Sequence, residues 1–147
     1  MVKRKCFIVD IDGTIANGDH RLHHIQKEPK AWDDYFLACG EDAPIKHMQI
    51  VVQALSLEAR VVFVSGRSDL VREQTIAWLD KHNFSYAALY MRRQGDHKND
   101  DKLKIELLAQ LRADGFEPIM AFDDRSRVVQ AWRDAGIPCA QVAAGDF

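Results

Sequence analysis

Cys6-Phe7-Ile8-Val9-Asp10-Ile11-Asp12-Gly13-Thr14 is the stretch of this 147-residue sequence that decides its fold. It is a short apolar run that ends in two carboxylates and a glycine turn. A continuous apolar run is typical of a strand that is buried on both faces of a parallel sheet. Ligands of open α/β sheets bind at the carboxyl ends of the strands, so this stretch predicts a polar site directly after the first strand.

Two further apolar runs end in polar groups of the same kind. Val61-Val62-Phe63-Val64 leads into Ser65-Gly66-Arg67, which offers a hydroxyl, backbone amides and a guanidinium, the groups that bind phosphate. Ile119-Met120-Ala121-Phe122 leads into Asp123-Asp124-Arg125, which adds two carboxylates. If the three strands are parallel, all these groups meet at one edge of the sheet.

Helical patterns alternate with these strands. The predicted helices are one from Ile45 with Met48, Val51, Val52 and Leu55 on its buried face, one over Leu70–His82, one capped by Asp100 or Asp101 and one over Ser126–Asp134. Two further strands are predicted, one near Ala87–Met91 and a closing strand over Cys139–Val142. The alternation predicts an α/β fold in three layers with a mostly parallel central sheet, formed by one domain over residues 1–147. Residues from about 17 to 44 predict a small cap insertion, with a short helix that opens near Pro29.

The composition excludes some classes of partner. A net charge of −2 and a pI near 6.3 argue against a general nucleic-acid or membrane coat, which needs a broad basic face. Cys6, Cys39 and Cys139 have no metal-ligand spacing, and we expect reduced thiols in a cytoplasmic protein. The apolar stretch before Asp10 is too short for a signal peptide or a membrane span.

Four carboxylates, those of Asp10, Asp12, Asp123 and Asp124, are predicted to share one cleft with few compensating cations. A cluster of carboxylate oxygens without a Cys or His pair favours a hard cation, and Mg²⁺ is the first choice. The three histidines His20, His23 and His24 fit no usual zinc ligand set, and we assign no metal to them.

This arrangement suits phosphoryl transfer. Asp10 is placed to attack phosphorus as a nucleophile, and Asp12 to exchange protons with the leaving oxygen and the attacking water. Ser65, the amide of Gly66 and a lysine would stabilise the charged oxygens. Among the nearby lysines we select Lys104, because it is flanked by core leucines, whereas Lys102 lies in the first helical turn and is expected to be solvated.

Together these motifs resemble the haloacid dehalogenase (HAD) superfamily. The closer likeness is to the 3′-phosphatase domains of bacteriophage polynucleotide kinase-phosphatases, through DIDGTIANGDHR, VSGR, RRQGDHKNDDKLK, FDDRSRVVQAWRDAGI and QVAAGDF. The resemblance implies a HAD Rossmann-like fold, Mg²⁺ dependence with Asp123 and Asp124 at the metal, and phosphate or substrate contacts by Arg21, Ser65, Arg67, Asp100 and Lys104. The chain departs from the pattern at Lys98-Asn99 and in a longer His20–Ala43 segment. It has no GxxxxGK[ST] motif, so a kinase half is absent from this sequence.

The leading hypothesis is therefore a Mg²⁺-dependent phosphomonoesterase that removes 3′-phosphates from nucleic-acid ends through an aspartyl-phosphate. The alternatives are a nucleotidase with the same mechanism, a phospho-aspartate signalling domain and a non-catalytic end-binding domain. A separately encoded kinase or ligase is a possible partner, and the host-cell cytoplasm is the expected compartment if the protein is phage-encoded. The sequence leaves the oligomeric state open.

Three local interpretations also remain. Trp32, Tyr35 and Phe36 could stack a base or form the core of the cap. Arg92, Arg93 and Lys98 could grip a nucleic-acid backbone or form a solvated loop. Arg125 is expected to be a structural partner of Asp123 or Asp124.

Overall fold

The computed structural model describes residues 2–147. Its strands are β1 (Arg4–Val9), β2 (Ala16–Asn17), β3 (Ala43–Pro44), β4 (Arg60–Ser68), β5 (Ala88–Arg92), β6 (Phe116–Asp123) and β7 (Cys139–Gln141). Its α-helices are α1 (Trp32–Leu37), α2 (Lys46–Glu58), α3 (Arg72–Lys81), α4 (Asp100–Ala113) and α5 (Ser126–Asp134). Five strands form one parallel sheet in the order β5-β4-β1-β6-β7, which confirms the predicted α/β fold.

The first strand lies at the centre of this sheet, between β4 and β6. Its residues alternate between two apolar cores. Val9 joins the core that contains Phe63, whereas Ile8 joins the core on the other face, which includes helices α4 and α5. Burial on both faces explains why the strand reads as a continuous apolar run. The central position also brings the Asp10 end of β1 next to the ends of β4 and β6.

A short antiparallel ladder closes the base of the insertion. Ala16 pairs with Pro44, and Asn17 pairs with Ala43. Between these two strands the chain forms a 3₁₀ turn at Asp19–His24, helix α1 and a second 3₁₀ turn at Ala38–Glu41. Helix α1 begins at Trp32, three residues after Pro29, because the chain from Ile25 to Ala31 is irregular.

Several predicted details differ from the structure. Val51 does not belong to the buried face of α2 and is 38% exposed, because the apolar residues of this helix lie on more than one side. The helix predicted from Leu70 begins with a 3₁₀ turn at Asp69–Val71. Asn99, and not Asp100 or Asp101, occupies the cap position of α4, since the Asp100 carboxylate is bound by two arginines.

The three cysteines are free thiols buried in the core. Burial raises the pKa of the Cys6 thiol to about 11, and it does the same for Cys139. Within residues 2–147, every helix is too short or too polar to cross a membrane.

Candidate active site

Asp10 is the first residue after β1, and the structure buries its carboxylate among charged groups. Its Oδ1 accepts a hydrogen bond from Lys104 Nζ at 2.7 Å, and its Oδ2 accepts one from Thr14 Oγ1 at 3.1 Å. Burial raises the pKa of Asp10 well above its ordinary value, and the neighbouring Asp123 and Asp124 carboxylates raise it further. An isolated carboxylate in this environment would tend to bind a proton, unless an additional cation is present.

Three carboxylates form the negative centre of the site. Asp10, Asp123 and Asp124 each offer an oxygen, and these oxygens all lie within 4.8 Å of one another. Only one cation, Lys104, contacts them directly among the described residues, with its Nζ 2.7 Å from Asp10 and 2.7 Å from Asp123. The three carboxylates therefore outnumber the cation that offsets them. An oxygen-only donor set with excess negative charge fits a hard divalent cation such as Mg²⁺.

The loop after β6 fixes the orientation of Asp123. Its Oδ1 accepts hydrogen bonds from the backbone amides of Asp124 and Arg125, at 2.9 Å and 3.3 Å. Its Oδ2 is the oxygen that binds Lys104. The side chain of Asp124 faces Gly13, where a Cβ would lie only 2.2 Å from Asp124 Oδ2. Glycine at position 13, with a φ of +80°, therefore lets the β1 turn and the β6 loop approach each other.

The Asp12 carboxylate lies outside this group, although it was predicted to share one cleft with the other three, and its role as a metal ligand stays a prediction. Its Oδ1 is 2.6 Å from Arg21 Nη2 and 2.9 Å from Arg67 Nη2. Burial alone would raise the pKa of Asp12, but the two guanidinium groups, Arg67 foremost, bring it below its ordinary value. The two acids of the DxD motif therefore have opposite electrostatic environments.

Arg21 and Arg67 are both fully buried, and their predicted contacts with the substrate stay a prediction. Besides Asp12, they share a second carboxylate, that of Asp42, at 2.8 Å from Arg21 Nη2 and 3.0 Å from Arg67 Nη2. His20 Nε2 lies 2.7 Å from the other oxygen of Asp42. In the described structure these arginines thus orient Asp12.

Asp42 is the site residue that sequence reasoning missed. It directly precedes β3 at the end of the insertion, and its backbone oxygen accepts a hydrogen bond from Trp78 Nε1 at 2.8 Å. Asp42 is buried, but nothing in its local sequence distinguishes it from the aspartates that lie on the surface. Its burial beside two arginines depends on contacts 21 and 25 residues away.

Ser65 and Gly66 lie at the end of β4 nearest the carboxylates, and Asp100 lies beside them. The Ser65 hydroxyl is buried and accepts a hydrogen bond from the Arg67 amide at 3.0 Å. A Cβ at Gly66 would lie 2.8 Å from Asp100 Oδ1, so this strand end closely approaches the start of α4. Lys104 projects from the next turn of that helix, and the structure brings it to Asp10, whereas Lys102 is exposed.

Asp100 links two arginines from different parts of the chain, Arg92 at the end of β5 and Arg125 after β6. Its carboxylate contacts Arg92 Nη2 and, at 2.8 Å, Arg125 Nη1. The side chain of Arg125 thus pairs with Asp100 and not with Asp123 or Asp124, although its backbone amide does reach Asp123. Arg92 also donates to the carbonyl of Gly66 at 2.8 Å.

The basic loop after β5 is largely neutralised. Arg92 points inward, and Lys98 is paired with Asp96 at 2.8 Å and with Glu106 at 2.9 Å. Arg92, Arg93 and Lys98 were considered as contacts to a nucleic-acid backbone. Of these three, only Arg93 has no side-chain hydrogen bond or ion pair among residues 2–147. It is exposed and remains available to a polyanion.

Comparisons with known proteins find relatives that match almost the whole of this chain. A protein of Autographa californica nuclear polyhedrosis virus, which carries the name bifunctional polynucleotide kinase/RNA ligase, is 30% identical over 146 residues; the match covers 97% of this chain and 20% of that protein. A solved structure of a Pnkp1/Rnl/Hen1 complex is 28% identical with a TM-score of 0.83, over 99% of this chain and 48% of that one. A structure of the Pnkp1/Rnl/Hen1 RNA repair complex gives 27% identity and a TM-score of 0.82, over 99% and 44%.

The chain thus spans less than half the length of these relatives. Over almost its whole length, however, it matches one family. The sequence model described as polynucleotide kinase PNKP phosphatase domain, a HAD family, covers residues 4–147. The parallel sheet and the acids at its carboxyl edge agree with that match, and the chain belongs to the HAD phosphatase domains of the PNKP family.

Proposed function

We propose that this domain is a Mg²⁺-dependent phosphomonoesterase that removes 3′-phosphates from polynucleotide ends. The observation that carries the proposal is the opposed pair Asp10 and Asp12: one acid beside Lys104 and two further carboxylates, the other beside two arginines. Such a pair divides the work between a nucleophile and a proton carrier. Membership of the PNKP phosphatase family supports the substrate class.

In the proposed reaction an oxygen of Asp10 attacks the phosphorus of the substrate. The bond between phosphorus and the ester oxygen breaks, and Asp12 gives its proton to that leaving oxygen. Asp12, now a carboxylate, then takes a proton from water while the water oxygen attacks the phosphorus. The bond to Asp10 breaks, inorganic phosphate is released, Asp10 is again a free carboxylate, and Asp12 has regained the proton that it holds in the substrate complex.

The remaining residues supply charge and position. Lys104 offsets the charge of Asp10 and Asp123 and would remain near the phosphoryl oxygens. Asp10, Asp123 and Asp124 would hold Mg²⁺, which when bound would supply positive charge beside the phosphate. Ser65 and the amide of Gly66 are proposed as phosphate ligands at the end of β4. Arg21 and Arg67 would act through Asp12, and Asp100 would keep this edge of the site in place.

We further propose that the chain functions as one domain with residues 17 to 44 as its cap. In an end-healing pathway a separate kinase or ligase activity would complete the repair. The names of the relatives, polynucleotide kinase/RNA ligase and RNA repair complex, support such a partnership.

The test is phosphate release, with Mg²⁺ or with EDTA, from matched substrates. These are a 3′-phosphorylated oligonucleotide, the same oligonucleotide with a 5′-phosphate, and 3′- and 5′-mononucleotides, each as DNA and RNA. Asp10→Asn is the control and should abolish turnover. We expect a preference for the 3′-phosphorylated oligonucleotide. A preference for mononucleotides would instead establish a nucleotidase, and a stable aspartyl-phosphate without turnover would indicate a signalling domain.

A further inference from the structure

Trp32 differs from the other two tryptophans of the chain. Trp78 and Trp132 are buried in the two cores, at 2% and 1% exposed, and both donate hydrogen bonds from their indole nitrogens. Trp32 is 42% exposed at the start of α1. This ring therefore remains accessible to a ligand on the cap of the proposed nucleic-acid enzyme.

Successive contacts connect this ring to the site. The Trp32 ring meets Tyr35 edge to face, with centroids 5.8 Å apart. The Tyr35 ring in turn lies 4.3 Å from the Arg21 guanidinium carbon, and Arg21 binds Asp12 at 2.6 Å. Tyr35 is close enough to Asp12 for that acid to contribute to its raised pKa of about 12, which burial mainly causes. Trp32 is therefore the outer member of an aromatic path that ends at the proposed proton carrier.

Two further side chains lie close to the Trp32 ring. Phe36 is stacked with it at an interplanar angle of 28° and a centroid distance of 6.0 Å. Lys30 Nζ lies 5.7 Å from the ring centroid. Phe36 is buried and fixes the ring, whereas Lys30 is an exposed, flexible side chain that can move away from it. The ring thus has a rigid support and an accessible surface for a planar ligand.

The charge around Trp32 narrows the class of ligand. Lys30 is offset by the exposed acids Asp33 and Asp34 on α1, so this part of the surface has no excess of positive charge for a phosphate backbone. An unpaired nucleobase is uncharged and stacks readily on an indole. We infer that Trp32 is the stacking platform for an unpaired base near the 3′ end of the strand whose phosphate is removed.

This inference rests on the proposed function, so its main test does not depend on catalysis. In the inactive Asp10→Asn protein, Trp32 is the one exposed tryptophan among residues 2–147, so a change in tryptophan fluorescence that is lost in Trp32→Phe reports on stacking at this ring. We expect a single-stranded 3′-phosphorylated oligonucleotide to quench this signal, and inorganic phosphate to leave it unchanged. An abasic residue at the last or next-to-last position should remove the quenching and so locate the stacked base.

Binding can then be compared between variants. Trp32→Ala should weaken oligonucleotide affinity about 5- to 150-fold, the range for one lost base stack, while Trp32→Phe should retain most of it. Leu37→Ala is the matched control, since Leu37 belongs to the same helix and is 51% exposed. Because the contact is not ionic, Trp32→Ala should leave the salt dependence of binding unchanged.

The active protein supplies a second readout. Trp32→Ala should raise KM for the oligonucleotide and leave kinetics on p-nitrophenyl phosphate, which has no base, unchanged. Equal loss on both substrates, or unquenched fluorescence with saturating oligonucleotide, would overturn the inference. Failure of the proposed function would look different: the unmutated enzyme would hydrolyse p-nitrophenyl phosphate but no 3′-phosphorylated strand, and the fluorescence titration would still decide the role of Trp32.

Discussion

Replacing Asp10 by asparagine should stabilise the metal-free protein while it abolishes activity. Asparagine has nearly the same shape, and its carbonyl oxygen can still accept the hydrogen bond from Lys104. The substitution removes one of three negative charges whose oxygens lie within 4.8 Å of one another. It also ends the requirement to bury a charged carboxylate, which is the main reason for the raised pKa of Asp10.

The size of the effect follows from the distances. With an effective dielectric constant of about 20, two like charges 4.8 Å apart repel by about 3.5 kcal/mol, so Asp123 and Asp124 together oppose Asp10 by about 7 kcal/mol. The Lys104 contact at 2.7 Å offsets about 6 kcal/mol of this. The pairwise interactions nearly cancel, and relief of the desolvation cost leaves an expected gain of about 1–3 kcal/mol in the free energy of unfolding. For a domain of this size the gain raises Tm by about 3–10 °C.

The assay is calorimetric or fluorescence-monitored unfolding in EDTA, repeated with Mg²⁺. Mg²⁺ should raise the Tm of the unmutated protein more than that of Asp10→Asn. Asp12→Asn is the matched control. It should lower the free energy of unfolding, because it leaves the positive charges of Arg21 and Arg67 less well compensated. Since Asp12 is 29% exposed, we expect the Asp12→Asn variant to lose only about 1–3 kcal/mol of the free energy of unfolding.

The pH dependence gives a further check on the sign. The folded-state pKa of Asp10 is raised, so the unmutated protein loses stability as pH rises from the ordinary carboxyl range through that raised value. The difference in the free energy of unfolding between Asp10→Asn and the unmutated protein should therefore grow as pH rises between these two pKa values. Below the ordinary carboxyl range this difference should vanish. An Asp10→Asn protein that is less stable than its parent in EDTA at neutral pH would refute the electrostatic reasoning.

Three other substitutions test separate parts of the site. Lys104→Met should destabilise the metal-free protein by about 3–5 kcal/mol, with partial recovery on adding Mg²⁺, as thermal unfolding can measure. Gly145→Ala places a Cβ 2.0 Å from the Asp124 carbonyl oxygen, and displacement of that loop should weaken Mg²⁺ binding in calorimetry about 10-fold or more; Gly40→Ala, with nothing within 4 Å, should bind Mg²⁺ normally. Arg93→Ala should make the negative slope of log affinity against log salt concentration less steep by about 1 for an oligonucleotide. An unchanged slope would exclude a phosphate contact.

The sheet could be predicted from sequence because its evidence is local. Each strand is an apolar run, each run ends in polar residues, and the direction of parallel strands forces those residues to one edge. The same reasoning selected Lys104, because only a lysine on the buried side of α4 can reach a strand end. Helix Ser126–Asp134 is observed with the predicted bounds, and Gly136, with a φ of +83°, follows its end.

The partners of the charged residues could not be predicted in this way. Contacts of Arg21 and Arg67 with the phosphate or the substrate stay a prediction, but the burial of both side chains between Asp12 and Asp42 has no local signal in the sequence. That arrangement depends on how the insertion returns to the sheet, and the residues concerned are up to 55 positions apart. Sequence patterns report which residues lie near the edge, but not which opposite charge each of them meets.

The environment of Asp12 has a direct consequence for the proposed reaction. Arg67 and Arg21 lower its pKa, so the resting protein favours the carboxylate, which suits the step that activates water. The earlier step needs the protonated form. A bound phosphate dianion would supply the change, because a like charge beside the partly exposed Asp12 raises its pKa. Asp42 favours the same rise less directly, since it shares the two arginines with Asp12 and limits how strongly they hold its charge. In the proposed reaction the arginine pair would thus leave Asp12 a base in the free site, and substrate binding would make it an acid.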